Sequence, residues 1–183
     1  MPNLLFSLIP LTIALCIGGT LPPDTAPVQP SNTAEVAYSL ESQSAVTSCD
    51  GLTQTQTEYV NEVLYLVNEA RADANLPALT LDPALQKAAQ VRASECTDNF
   101  SHTRPDGTSY QTAILQAGVV SGYTGESVAI GQTSAQQVVN RWLNSEMHRA
   151  NILSSNYTRV GIGLAENSGN SFDGYAWVQL FAQ

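Results

Sequence analysis

Arg159-Val160-Gly161-Ile162-Gly163-Leu164-Ala165 and Tyr175-Ala176-Trp177-Val178-Gln179-Leu180-Phe181 lie late in a sequence of 183 residues, and both alternate with a period of two. Val160, Ile162 and Leu164 recur on one side of the first run, and Tyr175, Trp177, Gln179 and Phe181 on one side of the second. Alternation of this kind marks strands with two distinct faces. Between them Asn167-Ser168-Gly169-Asn170 is turn chemistry, because Asn and Gly accept the backbone conformations that reverse a chain. The two runs therefore predict a hairpin of core strands. Gly161 and Gly163, in a strand, mark a place where another part of the molecule packs closely on the sheet.

Outward from the hairpin the period changes to that of helices. Ser134 caps a helix over 134–144 that carries Val138, Val139 and Trp142, and residues 126–130 form a short strand candidate. A polar loop spans 97–107, and a short helix over 109–117 stops at Gly118. Asp82-Pro83 opens a helix over 82–96, with Asp as the cap and Pro at the first helical position; Leu85, Ala88, Ala89 and Ala93 follow. The first helix covers 55–74. Its apolar face is Val60, Val63, Leu64, Val67 and Ala70, Asn75 suits a left-handed C-terminal residue, and Pro77 blocks continuation. Helices first and strands last imply an α+β domain with helices packed on an antiparallel sheet. Trp142 and Trp177 read as core aromatics, and Arg104 as a solvated side chain in the turn 104–107.

Composition narrows the partners. Hydrophobic residues make up 43% of the chain, enough for a core, and the formal net charge is −9 with only seven Lys and Arg, which are scattered. Nucleic acid is thereby excluded as the main partner, since it demands clustered cations. The apolar run 4–17 is too short to span a bilayer comfortably and reads as an export signal over residues 1–19, with lipidation at Cys16 the less favoured alternative. A mature form without a transmembrane segment, secreted or held at the cell envelope, follows. Residues 20–48, rich in Pro, Ser, Thr, Ala and Gln, read as a disordered linker ahead of one folded domain over 49–183. Export makes a Cys49–Cys96 disulfide the expected state; two buried free thiols are the alternative.

Chemistry-bearing residues lie in three separated stretches. The first is Ser101-His102-Thr103-Arg104-Pro105-Asp106-Gly107 and the second Gly125-Glu126-Ser127. The third runs from Trp142 through Ser145-Glu146-Met147-His148-Arg149-Ala150-Asn151-Ile152-Leu153. Imidazole is a common zinc ligand and a proton shuttle near neutral pH, and a neighbouring carboxylate can fix its tautomer or act as a base. The chain has only these two histidines, too far apart in sequence for a short metal-spacing motif.

These stretches resemble the CAP superfamily, also called the SCP or cysteine-rich secretory protein, antigen 5 and pathogenesis-related 1 superfamily, in its short bacterial form. The resemblance extends from Tyr59 to Phe181 and includes Leu66-Val67-Asn68-Glu69-Ala70-Arg71, Leu79, Leu81-Asp82, and Val160-Gly161-Ile162-Gly163. It implies a three-layer α-β-α sandwich with a central antiparallel sheet and a large cleft lined by two His and two acidic groups. His102, Glu126 and His148 match three of those positions. Ser145 occupies the fourth, with Glu146 one step, or about 100°, further around the helix. Ser127 stands where the family usually has Asn, and Glu146-Met147 where bacterial relatives often have Pro-Gly.

The resemblance further implies an extracellular scaffold that binds a small molecule, a lipid or a cell-envelope component, with zinc or another divalent cation held by His102 and His148. Glu126 is then either a partner of a ligating imidazole or a further ligand. The alternatives are a hydrolase, metal-dependent with Glu126 as base or His-dependent with Ser101, Ser127 or Ser145 as nucleophile, and a structural envelope protein. No nucleophile elbow or protease motif is present, so binding is the preferred reading over catalysis.

Overall fold

The computed structural model describes residues 52–167 and 172–183. The expected leader over 1–19, with Cys16, and the linker over 20–48 lie outside the described residues, as do Cys49 and the turn residues 168–170. The elements are α1 (Gln54–Asp73), β1 (Thr80–Leu81), α2 (Pro83–Asp98), α3 (Gln111–Gln116), β2 (Thr124–Gln132), α4 (Ala135–Leu143), α5 (Glu146–Ile152), β3 (Arg159–Glu166) and β4 (Tyr175–Ala182).

β3 and β4 pair antiparallel, with Val160 opposite Phe181 and Leu164 opposite Trp177. β2 adds antiparallel to the other edge of β4, with Glu126 opposite Leu180. One expectation needs correction: the sheet is mixed, because β1 runs parallel to β3 and the order is β1-β3-β4-β2. The two residues of β1 pair just before α2 begins, with Thr80 N donating to Thr158 O at 3.1 Å and Asp82 N to Val160 O at 3.0 Å. Asp82 serves two purposes there. One carboxylate oxygen caps α2 at Ala84 N and Leu85 N, and the other meets Arg159 Nη1 at 2.6 Å.

Side-chain alternation splits the core into two layers. On one face Val160, Ile162, Leu164, Trp177 and Phe181 pack against Val60, Val63 and Val67 of α1 and Val138, Val139 and Trp142 of α4. On the other, Ala176, Val178, Leu180 and Ala182 meet Leu85, Ala88, Ala89 and Ala93 of α2 and Ile114 of α3. The result is the three-layer α-β-α sandwich. Both tryptophans are fully buried.

α2 lies almost on the backbone of β3. A Cβ on Gly161 would come within 2.2 Å of Leu85 C and O, and one on Gly163 within 2.1 Å of Ala89 O, so only glycine fits at either position. That proximity lets α2 protect a strand edge that the two-residue β1 is too short to cover. Gln86 exchanges hydrogen bonds with the backbone N–H and C=O of Ile162, and Gln90 does the same at Leu164. One further difference affects the site. The helix expected over 134–144 ends at Leu143, and a second, α5, starts at Glu146 with Ser145 at its N-cap position.

Candidate functional site

Leu85, Ala89 and Cys96 define the sheet-facing stripe of α2, and Arg92 falls in the same stripe, fully buried. A buried guanidinium requires charged or carbonyl partners in every direction it donates. Arg92 has them. Nε donates to Glu126 Oε1 at 2.8 Å, Nη1 to Glu95 Oε2 at 2.6 Å, and Nη2 to Ser101 O at 2.6 Å. Glu95 is gripped from its other side by Arg104, through Nη2 at 2.7 Å and Nε at 3.0 Å. Glu126 reaches this layer because its side chain leaves β2 on the face turned toward α2, and its second oxygen meets His102 Nδ1 at 2.6 Å. A continuous chain of charge results: Arg104, Glu95, Arg92, Glu126, His102.

Burial shapes the ionisation of this chain. Burial alone would push the Glu95 carboxyl up, but hydrogen bonds from Arg104 and Arg92 more than offset it and hold the group below its ordinary value. Burial likewise opposes the charge on Arg92, and Glu126 and Glu95 reverse that, raising its pKa. Cys96 is pushed up to about 11, chiefly by burial. It is a free thiol, 1% exposed, with Sγ 3.8 Å from Arg92 Nη2. Cys96 has no disulfide partner among the described residues; Cys49, the partner expected for it, lies outside them.

The opposite wall comes from α5 and the segment after it. Asn151 Nδ2 donates to Glu126 O at 3.0 Å and contacts Ser127 Oγ at 3.4 Å, fastening α5 to β2. Gly125 permits this approach, since a Cβ there would sit 2.6 Å from Tyr157 Oη and 3.2 Å from Asn151 Oδ1. His148 lies three residues before Asn151, on the same side of α5 by helical spacing. Its Nδ1 is buried with no hydrogen-bond partner among the described residues. Its pKa is lowered, first by burial and then by the charges of His102 and Arg141, so the ring favours the neutral state.

The structure thus brings His102 and Glu126 into contact and sets His148 within electrostatic reach of His102. Ser145 is half-buried, without a side-chain cap bond, and Glu146 is exposed in the first turn of α5. Sequence reasoning missed Arg92 and Glu95, and it misread Arg104. Far from being solvated, Arg104 is 8% exposed and bonds Thr112 and Gln116 as well as Glu95. The signal for Arg92 was present: a cation at helical spacing between Ala89 and Cys96 inside an apolar stripe.

As a metal centre the donor set is sparse. No group of three or more His, Cys, Asp and Glu is placed to hold a metal ion among the described residues. Two imidazoles remain. His102 is engaged through Nδ1, leaving Nε2 as its available donor atom, and His148 favours its neutral, ligating form. Two imidazoles alone would leave the other positions of a cation to water or to a bound molecule, and they do not make a closed structural site.

Comparisons with known proteins agree with the fold. The model of the cysteine-rich secretory protein family matches residues 64–181, more than half of the chain. An uncharacterized protein of Bacillus subtilis (strain 168), YkwD, is 34% identical over 125 residues, covering 67% of this chain and 46% of that protein. Among solved structures, an extracellular protein containing an SCP domain from Bacillus anthracis superposes with a TM-score of 0.64 at 26% identity, covering 76% of this chain and 45% of that one. An outer surface protein of Borrelia burgdorferi gives a TM-score of 0.61 at 26% identity, covering 69% of this chain and 92% of that one. The chain spans less than half the length of both Bacillus proteins. No helix among the described residues is long and apolar enough to cross a membrane. The chain belongs to the cysteine-rich secretory protein, or CAP, family.

Proposed function

We propose that the protein is an extracellular binding module whose cleft presents His102 and His148 to a divalent cation such as zinc and to a small molecule, lipid or cell-envelope component. One observation carries the preference for binding over hydrolysis: both carboxylate oxygens of Glu126 are already engaged, by Arg92 and His102, and its side chain is fully buried. A general base needs a carboxylate oxygen within reach of the proton it removes, and a ligating carboxylate needs one that can face the cation. Glu126 has neither to spare. Its place suits a partner that orients a ligating imidazole. The extracellular setting draws support from the descriptions of the Bacillus anthracis and Borrelia burgdorferi proteins.

Calorimetric titration of metal-free protein with zinc tests the reading. One zinc per chain is expected, with the heat lost in His102→Ala and His148→Ala variants that keep their cooperative melting. Silent titration of the parent protein, or equal binding by the doubly substituted variant, overturns it. Hydrolytic turnover that disappears in Glu126→Gln would restore the hydrolase reading.

A further inference from the structure

We infer that Arg92 is a positioning residue that fixes His102 in one orientation and one tautomer, acting through Glu126 and through the backbone of Ser101; this deepens, and rests on, the reading of His102 as a cation ligand. The His102 side chain is 57% exposed, so burial alone does not hold it. Two contacts do. Glu126 Oε2 takes the ring at Nδ1, 2.6 Å away, and the loop is pinned where Tyr110 N donates to His102 O at 3.1 Å.

Arg92 stands behind the first contact and adds an anchor beside the second. Its Nε binds the other oxygen of the same carboxylate, and its Nη2 binds the carbonyl of the residue immediately before the histidine. One planar guanidinium thereby sets both the acceptor that meets the ring and the backbone from which the ring hangs. Glu95, held by Arg104, locks the remaining Nη1.

The chemical consequence concerns the tautomer. A carboxylate ion-paired to Arg92 is an acceptor only, so the ring nitrogen facing it carries the proton. His102 is then the Nδ1–H tautomer, and its Nε2 lone pair is directed away from Glu126 before any cation arrives. Lysine could not substitute, because an ammonium lacks the fixed planar fork that meets Glu126, Glu95 and Ser101 together.

Imidazole nitrogen-15 NMR of the full chain, free of metal, reads this directly, with zinc titration alongside. The Nδ1–H tautomer should predominate at His102 in the parent protein. In Arg92→Lys the Nε2–H tautomer should rise to a comparable population, and zinc affinity should weaken about tenfold or more. Glu95→Gln leaves Arg92 in place but removes the charge on its far side; it should shift the tautomer in the same direction by less, and it decides the matter if Arg92→Lys does not fold. An unchanged tautomer distribution in the folded variants overturns the inference. A tautomer shift in a protein that never binds zinc preserves the positioning role and removes the cation-binding reading, so the two fail separately.

Discussion

The two histidines stand on walls built in opposite ways. Behind His102, each charged group from Arg104 to Glu126 meets a partner of opposite sign, at distances from 2.6 to 2.8 Å along the chain. Behind His148, on the α4 and α5 side of the sheet, buried polar atoms lack partners among the described residues: His148 Nδ1, Trp142 Nε1 and both amide atoms of Gln179. Gln179 is completely buried and faces Ser127 and Ile162 across the sheet. A paired network is rigid because every displacement breaks a charge-assisted bond. An unpaired wall gains by acquiring hydrogen bonds. In the binding cleft proposed above, this difference would divide the labour between one imidazole held ready and another open to what enters.

The largest effect expected from breaking the paired wall is that of Arg92→Met, which leaves Glu126 and Glu95 short of their shared cation. Stripping one partner from a buried ion network costs about 3–5 kcal/mol, and urea unfolding should show that loss. A cost near that of a surface change would mean that the chain carries little charge energy. Gln179→Met probes the unpaired wall and should go the other way. Removing a buried amide that has no partner among the described residues, at similar volume, should leave stability unchanged or raise it by about 1 kcal/mol. A clear loss of stability would show that the amide is bonded and that the contrast between the walls is smaller than described.

Much of this was legible in the sequence, for identifiable reasons. The hairpin could be read because Val160, Ile162 and Leu164, facing one layer, alternate with Gly161 and Gly163, facing the other, and Asp82-Pro83 marked its helix start through cap chemistry. Gly161 and Gly163 announced the close approach of α2. What escaped was long-range. The parallel pairing of β1 depends on two residues, too few to leave a pattern. The end of α4 was legible to within a residue, but α5 was not, because Glu146-Met147 offers no Pro to mark a helix start. At the site, His102 and Glu126 could be named from their motifs. Behind them only Arg92 left a signal, its place in the apolar stripe of α2, whereas Glu95 and Arg104 are ordinary surface residue types until the fold gathers them around it. Arg71 illustrates the same point: it is 1% exposed and donates to the carbonyls of Pro77, Ile152, Ser154 and Tyr157, none of which is near it in pattern.

The smallest predicted effect separates the walls by pH. The pKa of His148 is lowered in the folded state by burial, then by His102 and Arg141. The unfolded chain therefore binds a proton that the folded chain resists. Stability from this group is intact above the unfolded value of about 6.5 and declines as pH falls from there to the lowered folded value. Glu95 has linkage of the same sign in a more acidic range. Its folded pKa is depressed, so its contribution is present above the ordinary glutamate value and disappears only as pH falls through the folded one. Acid should thus weaken the His148 wall first and the Glu95 wall later. Urea midpoints collected down the pH scale, with a chelator present to keep cations away, should show a shallow decline beginning near neutrality and a steeper one in stronger acid. His148→Gln should erase the first decline and leave the second. If the first decline survives that substitution, the proton is taken up elsewhere, and His148 is not the acid-sensitive element of its wall.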